Sequence, residues 1–320
     1  MIFRLGFVAM TLDLENCSPS GTVTYAIYKS LKDDNARCAR LAKVSNSNIE
    51  NTLRILKNNY ALNIEVYRVT SKLIPLATHN ELCGWDYINE FHEGLKKLGD
   101  YIKSNNFRIS AHPDHFTNLN SIKPEVLEAS IRDLDYHVNL FEGMGLNDFK
   151  YKLVLHVGGV YGDKERAIER FKQNFVKLPE RICKRIILEN DDKSYTAVDV
   201  LKICEELHIP MVLDVHHHKC VSNGEPIQEL LPRIYKTWVN ESDPPKVHFS
   251  SPKSEKEFRS HADYVNYEDF MDFLNIAKEF GKDIDIMLEA KMKDKALLKL
   301  SDRLYKTPEI VRLNRAAFKI

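Results

Sequence analysis

The sequence predicts one α/β domain folded as a (β/α)₈ barrel, and three observations support this prediction. Eight short apolar runs are spread along the 320 residues, each followed by a polar segment with helical spacing. The runs are continuously apolar rather than alternating, which is typical of parallel strands buried on both faces. No linker rich in Gly, Pro or Ser interrupts the chain. An open doubly wound sheet is the alternative, but eight units at this length favour closure.

The eight predicted strands are short and rich in β-branched residues. Amphipathic segments of helix length lie between them; the stretch NSNIENTLRILKNNY, for example, begins with Asn and Ser capping candidates and aligns Ile49, Leu53 and Leu56 on one face. Alternation of strand and helix predicts that residues 1–320 form a single domain. The strands are predicted at residues 2–8, 63–71, 107–113, 152–159, 185–191, 209–218, 246–252 and 283–291.

Composition excludes several classes of protein. Hydrophobic residues make up 43% and charged residues 29%, as in ordinary globular domains, and the zero net charge gives no overall attraction to a polyanion. Six scattered cysteines without a C-x-x-C pair argue for a reducing compartment and against a zinc finger. The amino terminus has no signal-peptide pattern, and no apolar run reaches membrane-spanning length. We therefore expect a cytoplasmic protein without a membrane partner.

Charge is uneven at the C-terminal end. From residue 291 onward there are nine Lys or Arg and three acidic residues. We predict a basic helical extension over about residues 291–320. A solvated helix face is the ordinary explanation for such a segment, and contact with nucleic acid is the alternative.

Imidazole and carboxylate side chains stand where the predicted strands end. In a barrel, the carboxyl ends of the strands build the active site. A single histidine at such a position usually satisfies only a hydrogen bond, whereas an unpaired carboxylate after a buried run carries a heavy desolvation cost. Six such ends converging on one barrel mouth predict a metal cluster. The strand ends are His112, His156, Glu189, Asp214, His248 and Glu289, and His261 and Asp263 follow in the loop after the seventh strand.

The ligand types limit the metal. Imidazoles mixed with carboxylates and without thiolate suit Mn²⁺, Zn²⁺ or Fe²⁺, whereas oxygen ligands alone would indicate Mg²⁺ or Ca²⁺. The candidates exceed what one tetrahedral ion needs, so we expect two or three ions that share a bridging carboxylate. Three histidines follow Asp214 at positions 216–218, and spacing alone does not separate His216 from His217 as the ligand.

With its motifs in this order, the sequence resembles the UV damage endonuclease family, and more distantly endonuclease IV and the xylose-isomerase-like barrels. The motifs are RLGF, YRVTS followed by PLATH, SAHPDHF, LVLHVGG, LEND, LDVHHH, VHFSSPK and LEAK, and they cover most of the chain. The resemblance implies up to three metal ions, with Mn²⁺ as the active ion and Zn²⁺ or another divalent ion as the alternative. The implied ligands are His112, His156, Glu189, Asp214, His217, His248, His261 and Glu289, with His79 and Asp263 as additional candidates.

The resemblance also implies a reaction. A monomer would hydrolyse the phosphodiester immediately 5′ to a UV photoproduct in double-stranded DNA, at the nucleoid, leaving a 3′-hydroxyl and a 5′-phosphate. The implied catalytic residues are Glu189, which looks like the bridging carboxylate, Glu289, and Lys246, which matches a lysine that can be carboxylated. An ordinary strand-end lysine is the alternative for Lys246.

Damage recognition implies a wedge at the barrel mouth, because dimerised pyrimidines pair poorly and cost less to extrude than normal bases. The family pattern places a Gln-Tyr pair where this chain has His115 and Phe116, which leaves the range of lesions open. Phe7 matches a family tyrosine, with a core position as the alternative. Further candidates for contact with DNA phosphates, whose binding should weaken with salt, are Arg37, Arg40, Lys43 and Arg68.

Other functions remain open at this point. An apurinic-site endonuclease would use the same cluster with a different wedge. A sugar isomerase on the same barrel would use two ions in a closed, aromatic-lined pocket. A non-catalytic damage-binding or metal-storage protein would bind without cutting. An open groove at the barrel mouth would favour the nucleases over the isomerase.

Overall fold

A computed structural model describes residues 1–320 and has the predicted closed barrel. Strands neighbouring in sequence pair in parallel, and β1 pairs with both β8 and β2, which closes the sheet. The predicted fold class is therefore confirmed. The barrel strands are β1 (Ile2–Val8), β2 (Val66–Arg68), β3 (Arg108–Ala111), β4 (Lys152–Leu155), β5 (Ile186–Glu189), β6 (Met211–Asp214), β7 (Lys246–Phe249) and β8 (Ile284–Leu288).

Helices surround the barrel, and several of them are capped by local side chains. Thr196 and Asp199 form a reciprocal capping box at the start of α8, and His208 ends that helix in a left-handed conformation. None of the helices combines the length and the apolar character needed to cross a bilayer. The helices are α1 (Tyr25–Ser30), α2 (Asp34–Ala61), α3 (Tyr87–Glu90), α4 (His92–Ser104), α5 (Pro124–Gly143), α6 (Lys164–Phe175), α7 (Glu180–Cys183), α8 (Ala197–Leu207), α9 (Val215–Cys220), α10 (Ile227–Thr237), α11 (Tyr267–Ala277) and α12 (Lys293–Leu304), with 3₁₀ turns at Asn80–Leu82 and Lys278–Phe280.

The continuous hydrophobicity of the strand sequences reflects their burial. Every residue of β3 to β8 is buried, and one core of 73 buried residues joins the barrel to its helices. Closure between β1 and β2 requires a glycine at position 6, because an added Cβ would lie 2.4 Å from the carbonyl oxygen of Val66. The barrel thus holds its strand ends at fixed positions around one mouth.

The C-terminal segment differs from the prediction of a helical extension. Only α12 is helical; two short strands, β9 (Val311–Arg312) and β10 (Ala317–Lys319), follow it, so the helical prediction is wrong beyond Leu304. Strand β2 pairs only with the second half of β1, which leaves Ile2 to Arg4 with a free edge. Strand β10 pairs antiparallel along that edge, and the buried ring of Phe318 stacks on Phe3 at 5.2 Å.

A buried ion-pair network closes the end of the barrel opposite the mouth. Both carboxylate oxygens of Asp285 accept hydrogen bonds from Arg4 at 2.7 Å, and Arg108 pairs with the same carboxylate. Burial acts to raise the pKa of Asp285, but the two guanidinium groups outweigh it and hold this pKa below its ordinary value. Asp285 is therefore ionised at neutral pH and offsets part of the charge of Arg4 and Arg108, whose further carboxylate partners are Glu65 at 3.5 Å and Asp243 at 3.6 Å.

Replacing Asp285 by Asn should lower the free energy of unfolding by about 3–5 kcal/mol, because it removes the buried counter-charge that lies closest to Arg4 and Arg108. The ionised carboxylate stabilises the fold above its unfolded-state pKa, and that stabilisation is lost as pH falls through the lower folded-state pKa. Urea unfolding at neutral pH and below about pH 4 measures both effects. The exposed Asp272→Asn variant is the matched control; equal stability of the two variants at neutral pH would contradict the account.

Candidate metal centre

The carboxylate of Glu189, at the end of β5, lies at the centre of the barrel mouth. Its Oε2 is 3.2 Å from Nε2 of His112 and 3.8 Å from Nε2 of His156. Its Oε1 is 2.8 Å from Nδ1 of His248 and 3.7 Å from Nδ1 of His217. Strands β3, β4, β6 and β7, or the residues directly after them, thus direct imidazoles at one buried carboxylate.

Three overlapping groups of side chains have the spacing of metal ligands. Within each group the potential ligand atoms all lie within 4.8 Å of one another, and Glu189 belongs to every group. A carboxylate shared in this way is suited to bridge two ions. The groups are His112, His156 and Glu189; Glu189, Asp214 and His217; and Glu189, His248 and Glu289.

Two orphaned buried atoms show that this donor set suits a cation. Oδ1 of Asp214 accepts the backbone N–H of His217 at 2.7 Å, but Oδ2 is buried without any hydrogen-bond partner. Nε2 of His248 is likewise buried and unpartnered. An unpartnered buried carboxylate oxygen is costly, and a divalent ion held between carboxylates and imidazoles would satisfy it.

The electrostatics of the centre lead to the same conclusion. Burial raises the pKa of Asp214 well above its ordinary value, and the nearby carboxylates of Glu189 and Glu289 add to this effect against the opposing charge of His217. Burial acts in the same direction on Glu189, but His248 and His156 outweigh it and bring its pKa well below the ordinary range. Three carboxylates packed this closely repel one another, and a cation among them would relieve that repulsion.

The structure distinguishes the three consecutive histidines. Only His217 lies near the carboxylates, 3.7 Å from Glu189 and 3.9 Å from Asp214. Both ring nitrogens of the buried His216 are occupied by protein partners, and Nε2 of His218 donates to the carbonyl of Glu225 at 2.9 Å. Asp214 is the N-cap of α9, so the first helical turn places residue 217 next to the carboxylate of Asp214.

Glu289 forms the other side of the centre. Its Oε1 is 3.3 Å from Nδ1 of His248, its Oε2 is 3.9 Å from Nδ1 of His261, and it pairs with Arg68. Burial acts to raise the pKa of Glu289, but Arg68 and His248 outweigh it and lower this pKa. Lys246 lies two residues before His248 on β7; its buried Nζ donates to Oγ of Ser110 at 2.7 Å, and burial holds its pKa well below the ordinary value.

Three other candidates lie away from the ligand groups. The ring of His79 stacks on Tyr25 at 3.9 Å and caps a 3₁₀ turn, and the side chain of Asp263 is exposed. Phe7 is fully buried and packs against Tyr67 at 5.5 Å. A ring without exposed surface has none to offer to DNA, which favours the core alternative for Phe7.

An open groove crosses the barrel mouth. Two clefts of about 400 and 460 Å³ share the segment from His112 to His115 and the side chain of His156, so they adjoin at the mouth. Phe116 stands beside this groove with 69% of its surface exposed, and its ring lies 4.0 Å from that of His115. A third cleft, of about 650 Å³ between the β1–α1 loop and α2, is lined by Arg40 and Lys43.

Two basic candidates are already engaged within the protein, and other groove residues were missed. Arg37 forms an ion pair with Asp34 at 2.7 Å, and Arg68 forms an ion pair with Glu289. Sequence reasoning did not single out the charged groove residues that lie near strand ends or ligands. Their positions two to four residues after Glu189 or two residues before His261 were the available signal. These residues are Asp191, Asp192, Lys193 and Arg259.

Comparison with known proteins agrees with the fold and the site. The family model for UV-endonuclease UvdE matches residues 3–319. Proteins called UV DNA damage endonuclease from Bacillus mycoides (strain KBAB4) and Bacillus cereus (strain B4264) are each 45% identical to this chain, over 100% and 99% of both sequences. The crystal structure of SacUVDE superposes with a TM-score of 0.84 at 35% identity, covering 95% of this chain and 98% of that one.

Fold and site together define a (β/α)₈ barrel that gathers histidine and carboxylate ligand atoms at its mouth. A D-tagatose 3-epimerase-like protein shares this fold with a TM-score of 0.55, but at 14% identity it supports the fold alone. The match over almost the whole length is more specific. The chain belongs to the UV-endonuclease UvdE family.

Adding Mn²⁺ to the chelator-treated protein should raise its unfolding temperature, because the ion binds the folded mouth and relieves carboxylate repulsion. An excess of about 100 times the dissociation constant stabilises the fold by about 2.7 kcal/mol per site. The Glu189→Gln variant should lose most of this rise, since Glu189 takes part in all three groups. Differential scanning calorimetry measures the shift.

The control for this experiment is His208→Asn, at the exposed left-handed end of α8, where Asn tolerates the backbone conformation. It should respond to Mn²⁺ as the unmodified protein does. An undiminished rise in Glu189→Gln would contradict the assignment of Glu189 to the metal centre.

Proposed function

We propose that the protein is a metal-dependent endonuclease that cuts duplex DNA immediately 5′ to UV photoproducts, leaving a 3′-hydroxyl and a 5′-phosphate. The observation that carries this proposal is the combination of a ligand-lined centre at Glu189 with an open groove and an exposed aromatic ring beside it. Relatives at 45% identity over the full length are called UV DNA damage endonuclease, which supports the same substrate.

The proposed metal ligands are Glu189 and seven side chains around it. Two or three divalent ions, with Mn²⁺ as the proposed ion, would supply Lewis-acid stabilisation of the charge that develops on the phosphodiester oxygens. Glu189 and Glu289 would hold the ions in place, and the buried Lys246 would support the centre from below through Ser110. The ligands are His112, His156, Glu189, Asp214, His217, His248, His261 and Glu289.

The groove residues have their own proposed roles. Phe116 and His115 would fill the space that an extruded photoproduct leaves in the base stack, since both are exposed and the Phe116 ring is flat and apolar. Arg68 would orient Glu289 rather than bind DNA with its full charge. Arg40 and Lys43, which have no ion-pair partner, would contact phosphates of the duplex beside the mouth.

The alternative reactions require barrel mouths of different shape or different substrate contacts. A sugar isomerase would enclose a small polyol, whereas this mouth is a groove with charged and polar side chains along it. An apurinic-site endonuclease remains the second candidate, because the same exposed His115 and Phe116 could fill the gap at an abasic nucleotide. The substrate test therefore includes both lesions.

The metal-stripped protein should nick supercoiled plasmid only when the DNA has been irradiated and Mn²⁺ has been added. The reason is that the lesion makes extrusion favourable and the ions complete the carboxylate-rich centre. Conversion to open circles on agarose gels measures the activity, and end-labelled oligonucleotides map the cut. Cutting of abasic DNA alone would replace the photoproduct assignment with the second candidate, and no cutting of any damaged DNA by the metal-loaded, folded protein would refute both.

Replacing Phe116 by Ala should weaken binding to a duplex with one cyclobutane dimer by about 5- to 150-fold, since base–aromatic stacking contributes about 1–3 kcal/mol. Binding to undamaged duplex should hardly change. Fluorescence anisotropy measures both affinities.

The matched control is Tyr60→Ala, another exposed aromatic, which lies near the end of α2 and outside the described clefts. It should bind both duplexes normally. An equal loss of affinity for damaged and undamaged DNA in Phe116→Ala would exclude a role of Phe116 in lesion recognition.

A further inference from the structure

The loop after β7, residues 251–263, is closed on itself at the edge of the mouth. Pro252 and His261 form an antiparallel bridge, the N–H of Lys253 donates to the carbonyl of Ser260 at 2.7 Å, and the N–H of Ala262 donates to that of Ser251 at 2.8 Å. These bonds fix the base of the loop. They do not fix its tip, which includes Phe258.

His216, the first histidine of the triplet, holds that tip. Its ring is fully buried, and its Nε2 lies 2.7 Å from the carbonyl oxygen of Phe258. A carbonyl only accepts, so Nε2 carries the proton, and Nδ1 of a neutral ring accepts from the hydroxyl of Ser250, also at 2.7 Å. The Phe258 ring also packs edge-on against the imidazole at 5.7 Å. His216 therefore links Ser250, at the end of β7, to Phe258, at the tip of the loop that follows β7.

Arg259 follows Phe258 directly and lines the mouth cleft together with His217 and His261. The ion pair within this loop joins Lys253 to Glu257 and leaves Arg259 unpaired. A guanidinium group offers five N–H donors in a fork that matches phosphate oxygens. An arginine that is exposed beside the ligand atoms and has no carboxylate partner is therefore suited to hold an anion there.

We propose that Arg259 binds a phosphate of the DNA strand lying over the metal centre, and that His216 is a positioning residue that holds Arg259 there through Phe258. The inference rests on the proposed function, because it takes duplex DNA as the ligand. It gives the first histidine of the triplet a role distinct from that of its neighbour His217. The contact is with the phosphate backbone, so it is independent of base sequence.

The dependence of KM on salt tests the phosphate contact. Each neutralised phosphate contributes about 0.9 to the slope of log affinity against log salt, so Arg259→Ala should reduce this slope by about that amount. Arg259→Lys keeps the charge and should keep the slope. The substrate is a duplex with one cyclobutane dimer, nicked at steady state over a series of KCl concentrations. Arg233→Ala, on the outer helix α10 where Arg233 pairs with Glu205, is the matched control and should leave the slope unchanged.

The positioning role of His216 is tested in the same assay. His216→Ala should lose the same increment of slope as Arg259→Ala, and the double variant should lose no more than either single variant. His216→Gln, which can still donate to the Phe258 carbonyl, should regain part of it. Bound Mn²⁺ per chain should stay at the unmodified value. If His216→Ala does not fold, Ser250→Ala removes the other bond of the imidazole and tests the same link.

The outcomes separate this inference from the proposed function. An unmodified protein that fails to nick the dimer-containing duplex refutes the proposed function. An active unmodified protein whose slope is unaffected by Arg259→Ala refutes the phosphate contact. Loss of bound Mn²⁺ in His216→Ala would show that His216 supports the metal centre rather than Arg259, and would overturn its positioning role.

Discussion

The arrangement of the barrel mouth depends on one constraint, the burial of the Glu189 carboxylate among four imidazoles. Three of the rings lie in or directly after a strand, and His217 lies in the first turn of α9 after β6, so the distances around Glu189 follow from the fold. A carboxylate this deeply buried needs positive charge near it. Of these rings, His217 supplies part of that charge, because Asp214 and Glu189 outweigh the effect of burial and raise its pKa to about 9. The carboxyl groups of Asp214 and Glu289 lie close by and add to the demand for positive charge.

This surplus of buried carboxylate connects fold, site and function. The orphaned oxygen of Asp214 and the shared position of Glu189 make divalent ions the natural complement of the mouth. At the opposite end of the barrel, Asp285 also lies among buried charges, but there Arg4 and Arg108 supply the positive charge. The same fold thus carries one carboxylate paired with arginines and another group of carboxylates with the spacing of metal ligands.

Sequence reasoning succeeded where one strong physical signal acted. Continuous apolar runs predicted the barrel, and polar residues at their ends predicted which side chains would meet, because parallel strands share one mouth. It failed where the direction of a side chain or a contact between distant residues decides its role. A buried aromatic such as Phe7 and a surface aromatic have the same sequence signal. Strands as short as β9 and β10 have no detectable period. Spacing alone did not separate His216 from His217, because the distinction depends on the position of α9.

The central claim is that Glu189 joins more than one metal ion in a single centre. Electron paramagnetic resonance of the Mn²⁺-loaded protein, with the bound metal counted per chain, tests it most directly. We expect more than one ion per chain and an exchange-coupled signal that Glu189→Gln converts to that of isolated ions. A single ion per chain with an uncoupled spectrum in the unmodified protein would contradict the claim.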